Sequence, residues 1–505
     1  MGMFVRKKIN PSGTISIQVI DKSTGTYKML KTIGSSSNPV AVDHLVHQGE
    51  EWIKARVGQL ELDFTDERRL AHQILNSIER ITVQGTELLL GRIFDEIGFN
   101  AIPDLLFRQL VIARLCFPVS KLKTTDFLSK YQFFSIDVQQ VYRYLDKLHR
   151  NQKDKVQQIS YDHSRRVLGG EVSIVFYDVT TLYFEIDDED ELRRTGFSKE
   201  GRHQNPQVLL GLLVSVDGYP LAYEIFEGNR FEGHTMLPVI DAFKALYSLN
   251  KLVIIADSGL LSSDNVRELT LKGYEFILGA RIKSESSAVK ERITALHLQD
   301  GESEVIEKGD GLKLVIGYSQ KRADKDRHSR EKGLIKLEKR IRTGRLTKAS
   351  INNRGYNKYL RLEGEIAISI DHEKFNADRQ WDGLKGYLTN THLAKEQIIE
   401  NYGHLWKIEK AFRISKHDLR IRPIFHWVRR RIEAHICIAF VAYKVYKELE
   451  RQLKEKQSGL SPEKAIDIAK TIYCIEVVTP YQKHYVSKTL LVTEEHKYLA
   501  KLFDF

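Results

Sequence analysis

Two apolar runs in this chain each end at an aspartate, and they constrain the fold more than any other feature. EVSIVFYD closes on Asp178 and KLVIIAD on Asp257. Both runs are short and rich in β-branched residues, the pattern of strands buried on both faces. Between them, QVLLGLLVSVDGYPLAYEIF reads as two more strands around a turn at Gly218 to Pro220, and a helix is predicted from Met236 to Leu246. Interleaved buried strands and periodic helices predict an α/β fold built on a mixed sheet with covering helices. An aspartate directly after such a strand emerges at the sheet edge, where its oxygens can face a cleft. Helix capping or a turn would use the same residue type.

At 505 residues the chain has room for about three domains of roughly 150 residues each. Residues 1–65 read as a β-rich segment, with a hairpin around NPSG and a polar loop at GSSSNP. A helical region follows over 66–165, where LLLGRIFDEIGF, LLFRQLVIARL and VQQVYRYLDKLHR carry apolar residues at three- and four-residue intervals. The sheet occupies 166–285. Residues 286–390 read as a β-rich insertion containing a basic stretch from Lys321 to Lys348. Residues 391–455 turn helical again as two long helices interrupted near Pro423, and 456–505 form a C-terminal segment with a short helix and a β-like IEVV stretch.

Lys and Arg outnumber Asp and Glu by 78 to 67, a net charge of +11, which admits an acidic partner without naming one. In the helical region Arg108, Arg114, Lys121, Lys123, Lys130, Arg143, Lys147 and Arg150 either face DNA or are the solvated sides of amphipathic helices. Three separated cysteines, Cys116, Cys437 and Cys474, form no CxxC pair and read as buried small hydrophobes in a reducing cytoplasm. The basic start MGMFVRKKIN lacks the apolar segment of a secretion signal, and no apolar run reaches 18 residues, so no membrane partner is expected. His404, His417, His426 and His435 lack a compact zinc-ligand spacing. The acidic stretch Asp187 to Glu191 reads as a cation site or a solvated loop, while Arg281 and Lys283 after GYEFILGA could meet phosphate or serve solubility.

In YGHLWKIEKAFRISK, Tyr402, Glu409 and Lys416 recur at equal seven-residue steps. On a continuous helix, seven residues at about 100° each return almost to the same face. That predicts one polar stripe, with Leu405, Ile408 and Phe412 turned elsewhere to pack on a sheet. Charge pairs on an exposed helix would look the same.

Taken together, these residues resemble the DDE transposases of bacterial insertion sequences, specifically the insertion sequence 4 superfamily and its 1634-like branch, over most of residues 70–450. The signature helix of that family reads Tyr, two residues, Arg, three residues, Glu, six residues, Lys. Tyr402, Glu409 and Lys416 match it, whereas Leu405 stands where the Arg falls, leaving Lys407, Lys410 or Arg413 to supply a phosphate contact. The blocks GFSKEGR, VDGYPLAYEIFEGN, YSQKRADKDRHSRE, DGLKGYLTN and FRISKHDLRIRPIFHW are also similar to that branch.

The resemblance implies a ribonuclease H-like core interrupted by a mostly β insertion. It implies Asp178, Asp257 and Glu409 as catalytic metal ligands for two Mg²⁺ ions, with Mn²⁺ substituting. Asp178 would bridge the ions, and Asp257 and Glu409 would hold one each. Tyr402 and Lys416 would contact DNA phosphate or a terminal nucleotide, joined by Lys407, Lys410, Arg413, Arg281 and Lys283. The implied activity is cleavage at insertion-sequence ends and strand transfer into target DNA by a homodimer on double-stranded DNA at the bacterial nucleoid. A non-catalytic DNA-binding regulator and a nuclease without joining activity are the alternatives.

Overall fold

A computed structural model describes residues 2–57, 72, 74–148, 152–198, 201–247, 249, 251–344, 346, 350–352, 355–363, 367–478 and 484–505. Asp66, Arg150 and Lys348, where the sequence reading placed a helical onset and basic residues, lie outside them. The chain forms two compact units, Met1–Arg80 with Ile475–Lys488, and Ile81–Cys474 with Thr489–Phe505.

In the first unit, β1 (Met3–Ile9), β2 (Ile15–Asp21) and β3 (Lys28–Ser36) form an antiparallel sheet in that order, and α1 (Pro39–Val57) packs on it. The hairpin expected around NPSG is present. Gly13 turns it at a φ of +80°, and Asn10 Nδ2 donates to Thr14 Oγ1 at 3.0 Å and to Ser16 Oγ at 2.6 Å. Of the residues read as a polar loop after the hairpin, Gly34, Ser35 and Ser36 serve instead as the end of β3, each with a partner on β2, and Pro39 opens α1. Strand β4 follows at Ile78–Val83.

The second unit begins with helices α2 (Arg92–Ile97), α3 (Leu105–Cys116), α4 (Lys121–Gln132), α5 (Val138–Leu148) and α6 (Gln152–Val167). Next comes a meander of β5 (Ile174–Tyr183), β6 (Gln207–Ser215) and β7 (Pro220–Glu227), in which neighbours are antiparallel. Helix α7 (Met236–Tyr247) then leads to β8 (Val253–Ala256), parallel to β5, and α8 (Ser263–Leu271) leads to β9 (Glu275–Ala280), parallel to β8. Parallel neighbours cannot be joined by a tight turn, so each addition uses a crossover helix. These five strands and their helices are the ribonuclease H-like core.

Residues 286–390 hold the expected separate β insertion, but not all of them belong to it. They contain α9 (Ser287–Thr294), β10 (Ser303–Gly309), β11 (Leu312–Tyr318), α10 (Gln320–Arg342), β12 (Leu360–Glu363), β13 (Ala367–Ile370), α11 (His372–Ala377) and β14 (Leu384–Thr389). Strands β10, β11 and β14 extend the main sheet to eight strands in the order β10-β11-β14-β9-β8-β5-β6-β7. The insertion proper is narrower. It pairs β12 with β13 and gathers a small core of Leu337, Tyr359, Leu360, Ile370 and Phe375 under α10, the helix that carries most of the basic stretch.

After β14 come α12 (Lys395–Gly403), α13 (Trp406–Arg413) and the 27-residue α14 (Arg429–Glu455). Helix α14 is apolar around most of its circumference because α2, α3, α5, α6 and β7 all pack on it. Its one fully buried lysine, Lys444, donates to Ser160 O at 3.0 Å and to Ser164 Oγ at 2.6 Å. No helix among the described residues is long and apolar enough to cross a membrane. Helix α15 (Pro462–Ala469), β15 (Tyr473–Val478), β16 (Tyr485–Leu490) and α16 (Glu494–Phe503) complete the chain, with strand order β16-β15-β4. All three cysteines are buried.

Candidate active site

Strand register brings the two aspartates together. The last β5–β8 pair is Tyr177 with Ala256, the last β8–β9 pair is Ala256 with Leu278, and Gly279 pairs onward with Tyr387 of β14. One residue beyond those pairs stand Asp178, Asp257 and Gly279, on neighbouring strands about 4.8 Å apart. Side chains alternate across a sheet. Tyr177, Ala256 and Leu278 enter the core beneath α7 and α8, whereas Phe176, Ile255 and Ile277 enter the core shared with α12 and α13. Asp178, Asp257 and Gly279 therefore form a row on the α12–α13 face.

Asp178 is not at a strand end, as the apolar run suggested. Strand β5 continues to Tyr183 because VTTLY pairs residue by residue with β6. Its parallel neighbour β8 stops at Ala256, so the Asp178 carboxylate still sits where the sheet steps back. Each aspartate also makes a local backbone contact: Asp178 Oδ1 accepts from Val179 N and Asp257 Oδ1 from Gly259 N, both at 2.8 Å. Both carboxylates are half-buried.

Tyr402 of α12 covers the row. A Cβ on Gly279 would lie 2.4 Å from Tyr402 Oη, so glycine is what admits the phenol there. The Tyr402 ring stands 4.8 Å from that of Tyr387, and Lys385 Nζ lies 4.4 Å from its centroid. Burial pushes the Tyr402 phenol pKa up, and the charges of Asp257 and Glu409 push it further. One hydroxyl thus feels both carboxylates. Burial and the Arg322 charge lower the Lys385 pKa, while Glu409 pulls it back. Sequence reasoning passed over Lys385, whose only signal was its place in DGLKGYLTN, whereas Arg322 lies within the basic stretch from Lys321 to Lys348.

The seven-residue stripe does not survive as drawn, because the signature segment is not one continuous helix. Helix α12 ends at Gly403, a turn buries Leu405, α13 carries Glu409 on an exposed position, and a wide π-helical turn over Ile414–Asp418 holds half-buried Lys416. The bend, not helical phase, sets how Tyr402 and Glu409 stand relative to each other. Leu405, Ile408 and Phe412 are buried, as expected of the packing side.

Several expected DNA contacts are engaged within the protein. Lys407 Nζ donates to Val216 O at 2.6 Å and lies 3.9 Å from the Asp217 carboxylate, and Lys410 pairs with Glu450 of α14. Of the three cations expected to replace the family's arginine, Arg413 is the exposed one. Arg281 Nε donates to Ser258 O at 3.0 Å, and Lys283 sits 3.3 Å from the Asp378 carboxylate. Arg281, Lys283, Arg322 and Lys385 share the wall of a cavity of about 600 Å³ with Trp381, and Ser258 beside Asp257 forms its border. In the acidic stretch, Asp190 pairs with Arg193 at 2.7 Å, and Glu189 accepts from Thr195 N at 2.6 Å.

Carboxylate oxygens are the hard donors that Mg²⁺ takes, and two of the three carboxylates hold adjacent register positions. Among the described residues, no three His, Cys, Asp or Glu side chains stand close enough together to hold a metal ion. The donor chemistry fits; a closed cage is not formed. Mg²⁺ is commonly held by one or two carboxylates completed by water and substrate phosphate, and Asp178 and Asp257 are donors of that kind.

No curated protein matches the chain. Among solved structures, a piggyBac transposase synaptic complex with hairpin DNA is similar at 9% identity over 72% of this chain and 69% of that one, with a TM-score of 0.40. A Mos1 transposase paired-end complex with left transposon end is similar at 10% identity over 31% and 53%, with a TM-score of 0.16. Residues 172–444 match the family described as Transposase DDE domain. That match takes in Asp178, Asp257, Tyr402 and Glu409 and more than half of the sequence, so the chain belongs to the Transposase DDE domain family.

Proposed function

We propose that this protein is a transposase that cuts DNA at the ends of an insertion sequence and joins the freed ends to target DNA. We assign it to the 1634-like branch of the insertion sequence 4 superfamily on its ordered sequence blocks. The observation carrying the reading is the row of Asp178 and Asp257 beneath a tyrosine that senses both Asp257 and Glu409. Asp178, on the central strand β5 of the five-stranded core, would hold two Mg²⁺ or Mn²⁺ ions together with Asp257 and Glu409. Bound ions would activate the attacking oxygen and stabilise charge on the phosphate and leaving oxygen.

The remaining work belongs to side chains. Lys385 and Arg322 place positive charge beside Glu409, where an incoming phosphate would stand. Arg281 and Lys283 continue that charge along the cavity wall, fitting a DNA backbone led away from the row. Tyr402 keeps its proton at neutral pH and so offers a hydrogen bond without adding negative charge. Cutting two ends calls for two copies of the chain on paired DNA ends.

The test is an end-cleavage and strand-transfer assay with Mg²⁺ or Mn²⁺. Asp178→Asn, Asp257→Asn and Glu409→Gln should each lose at least about 10³-fold in rate while binding end DNA as the wild type does. Wild-type binding with no metal-dependent cutting would reject the reading, and cutting without new donor–target joins would reduce it to a nuclease.

A further inference from the structure

A second cluster of charge lies among the N-terminal helices of the larger unit. A cavity of about 390 Å³ opens between the end of α3, the start of α4 and residues 420–426. Its wall includes Arg114 and Lys121, each only 6% exposed, together with His426, His435 and Tyr142. Among the described residues no side-chain hydrogen bond or ion pair involves Arg114 or Lys121. The nearby carboxylate of Asp146 is already committed, to Arg430 Nε at 2.8 Å and to both Arg431 Nε and Nη2 at 2.8 and 2.9 Å.

Two unpaired buried cations side by side are a cost the fold does not need for its own stability. Burial lowers the Arg114 guanidinium pKa to about 10, and burial together with the Arg114 charge lowers the Lys121 ammonium. Packing alone would be served better by two apolar residues. The first turn of α4 lies on the same wall, with Ser120 as its N-cap, and the start of a 12-residue helix favours negative charge. Arg420, Arg422 and Lys123 carry the positive field to the cavity mouth. A guanidinium fork, an ammonium and a helix start suit a tetrahedral oxyanion, and the volume exceeds what a bare halide needs.

We propose that this cavity binds a phosphate group at Arg114 and Lys121, either as a free phosphate ion or as one backbone phosphate of a DNA strand. The site stands on its own geometry and does not depend on whether the carboxylate row cuts DNA.

The experiment uses the full chain purified without phosphate. Melting is followed against inorganic phosphate at constant ionic strength. Binding of short single- and double-stranded oligonucleotides is followed by fluorescence anisotropy across a salt series. Wild-type protein should gain melting temperature saturably with phosphate. Arg114→Met and Lys121→Met should melt higher than wild type in phosphate-free buffer and lose that gain. If DNA supplies the phosphate, each variant also flattens the salt dependence, by roughly 0.9 in log–log slope on duplex or roughly 0.7 on single strands. If the ion is free, that slope stays unchanged.

A phosphate gain that persists in both variants overturns the proposal, as does a wild type that responds neither to phosphate nor through its salt slope. Should a variant fail to fold, Lys121→Arg must keep the gain. In the wild type, phosphate or oligonucleotide must protect the Lys121 amine from acetylation read by mass spectrometry; equal labelling with and without them overturns the site.

Discussion

The carboxylate row and the cation cavity both gather like charges, yet the protein holds them in opposite ways. Asp178 and Asp257 are set by backbone register on two neighbouring central strands and are half-buried, while Glu409 stands at an exposed helix position. Arg114 and Lys121 are set by helix packing, nearly buried on the wall of a cavity. Water screens charges at the rim of a sheet, so an open acidic row costs little. A pair of cations in a narrow cavity is screened less, and its repulsion must be offset by the surrounding core. The difference predicts that neutralisation acts on activity at one site and on stability at the other.

The largest effect should come from the row. Asp257→Asn removes a proposed metal ligand, so cleavage should fall by at least about 10³-fold, whereas the melting temperature should stay within the range of surface substitutions, roughly ±0.5 kcal/mol in stability. A melting temperature that falls as steeply as the activity would make Asp257 a structural residue and erase the contrast with Lys121, whose neutralisation should stabilise.

Next in size is a change of shape with charge untouched. Gly279→Ala puts a methyl group 2.4 Å from Tyr402 Oη and 3.0 Å from Ser258 N. Overpacking of this kind typically costs about 1–3 kcal/mol, and displacing Tyr402 should also slow cleavage. Tyr402→Phe deletes the crowding oxygen and leaves the ring, so the double variant should recover part of the loss, a coupling readable from denaturant unfolding of all four proteins. Strictly additive losses would show that Tyr402 does not rest on Gly279.

What the sequence disclosed follows the same division. The row was legible because strand runs are local: SIVFYD and LVIIAD announce buried strands and carry their aspartates with them. The joining of β10, β11 and β14 to the main sheet was not, since an apolar run such as LKLVIGY does not name a partner strand far along the chain, and the run 286–390 therefore read as separate. The bend after Gly403 and the wide turn at Ile414–Asp418 were hidden by a seven-residue spacing that a straight helix would also satisfy. Arg114 and Lys121 fit the polar side of an amphipathic pattern; their burial is decided by residues 420–435, which pack on them from roughly three hundred positions later.

The smallest effect tests whether the cavity charges are coupled as closely as burial implies. Burial, then the charges of Lys121, Arg114 and Arg431, lower the His426 pKa to about 3, with Asp146 opposing them; His435 and Tyr142 are the neighbouring rings at 5.4 and 6.0 Å. A folded value below the unfolded value of about 6.5 means that the unfolded chain takes up the proton first. This contribution to stability is therefore full above about pH 6.5 and is lost as pH falls toward about 3. Lys121→Met removes one of the charges that lower the His426 pKa, so the His426 titration seen by NMR should move to higher pH, and its acid loss, which still begins near the unfolded value of about 6.5, should end at higher pH and be smaller in total. Asp257→Asn should leave that titration where it is. An unmoved His426 in Lys121→Met would mean that the cavity is as well screened as the carboxylate row, and the contrast between the two regions would fail at its electrostatic root.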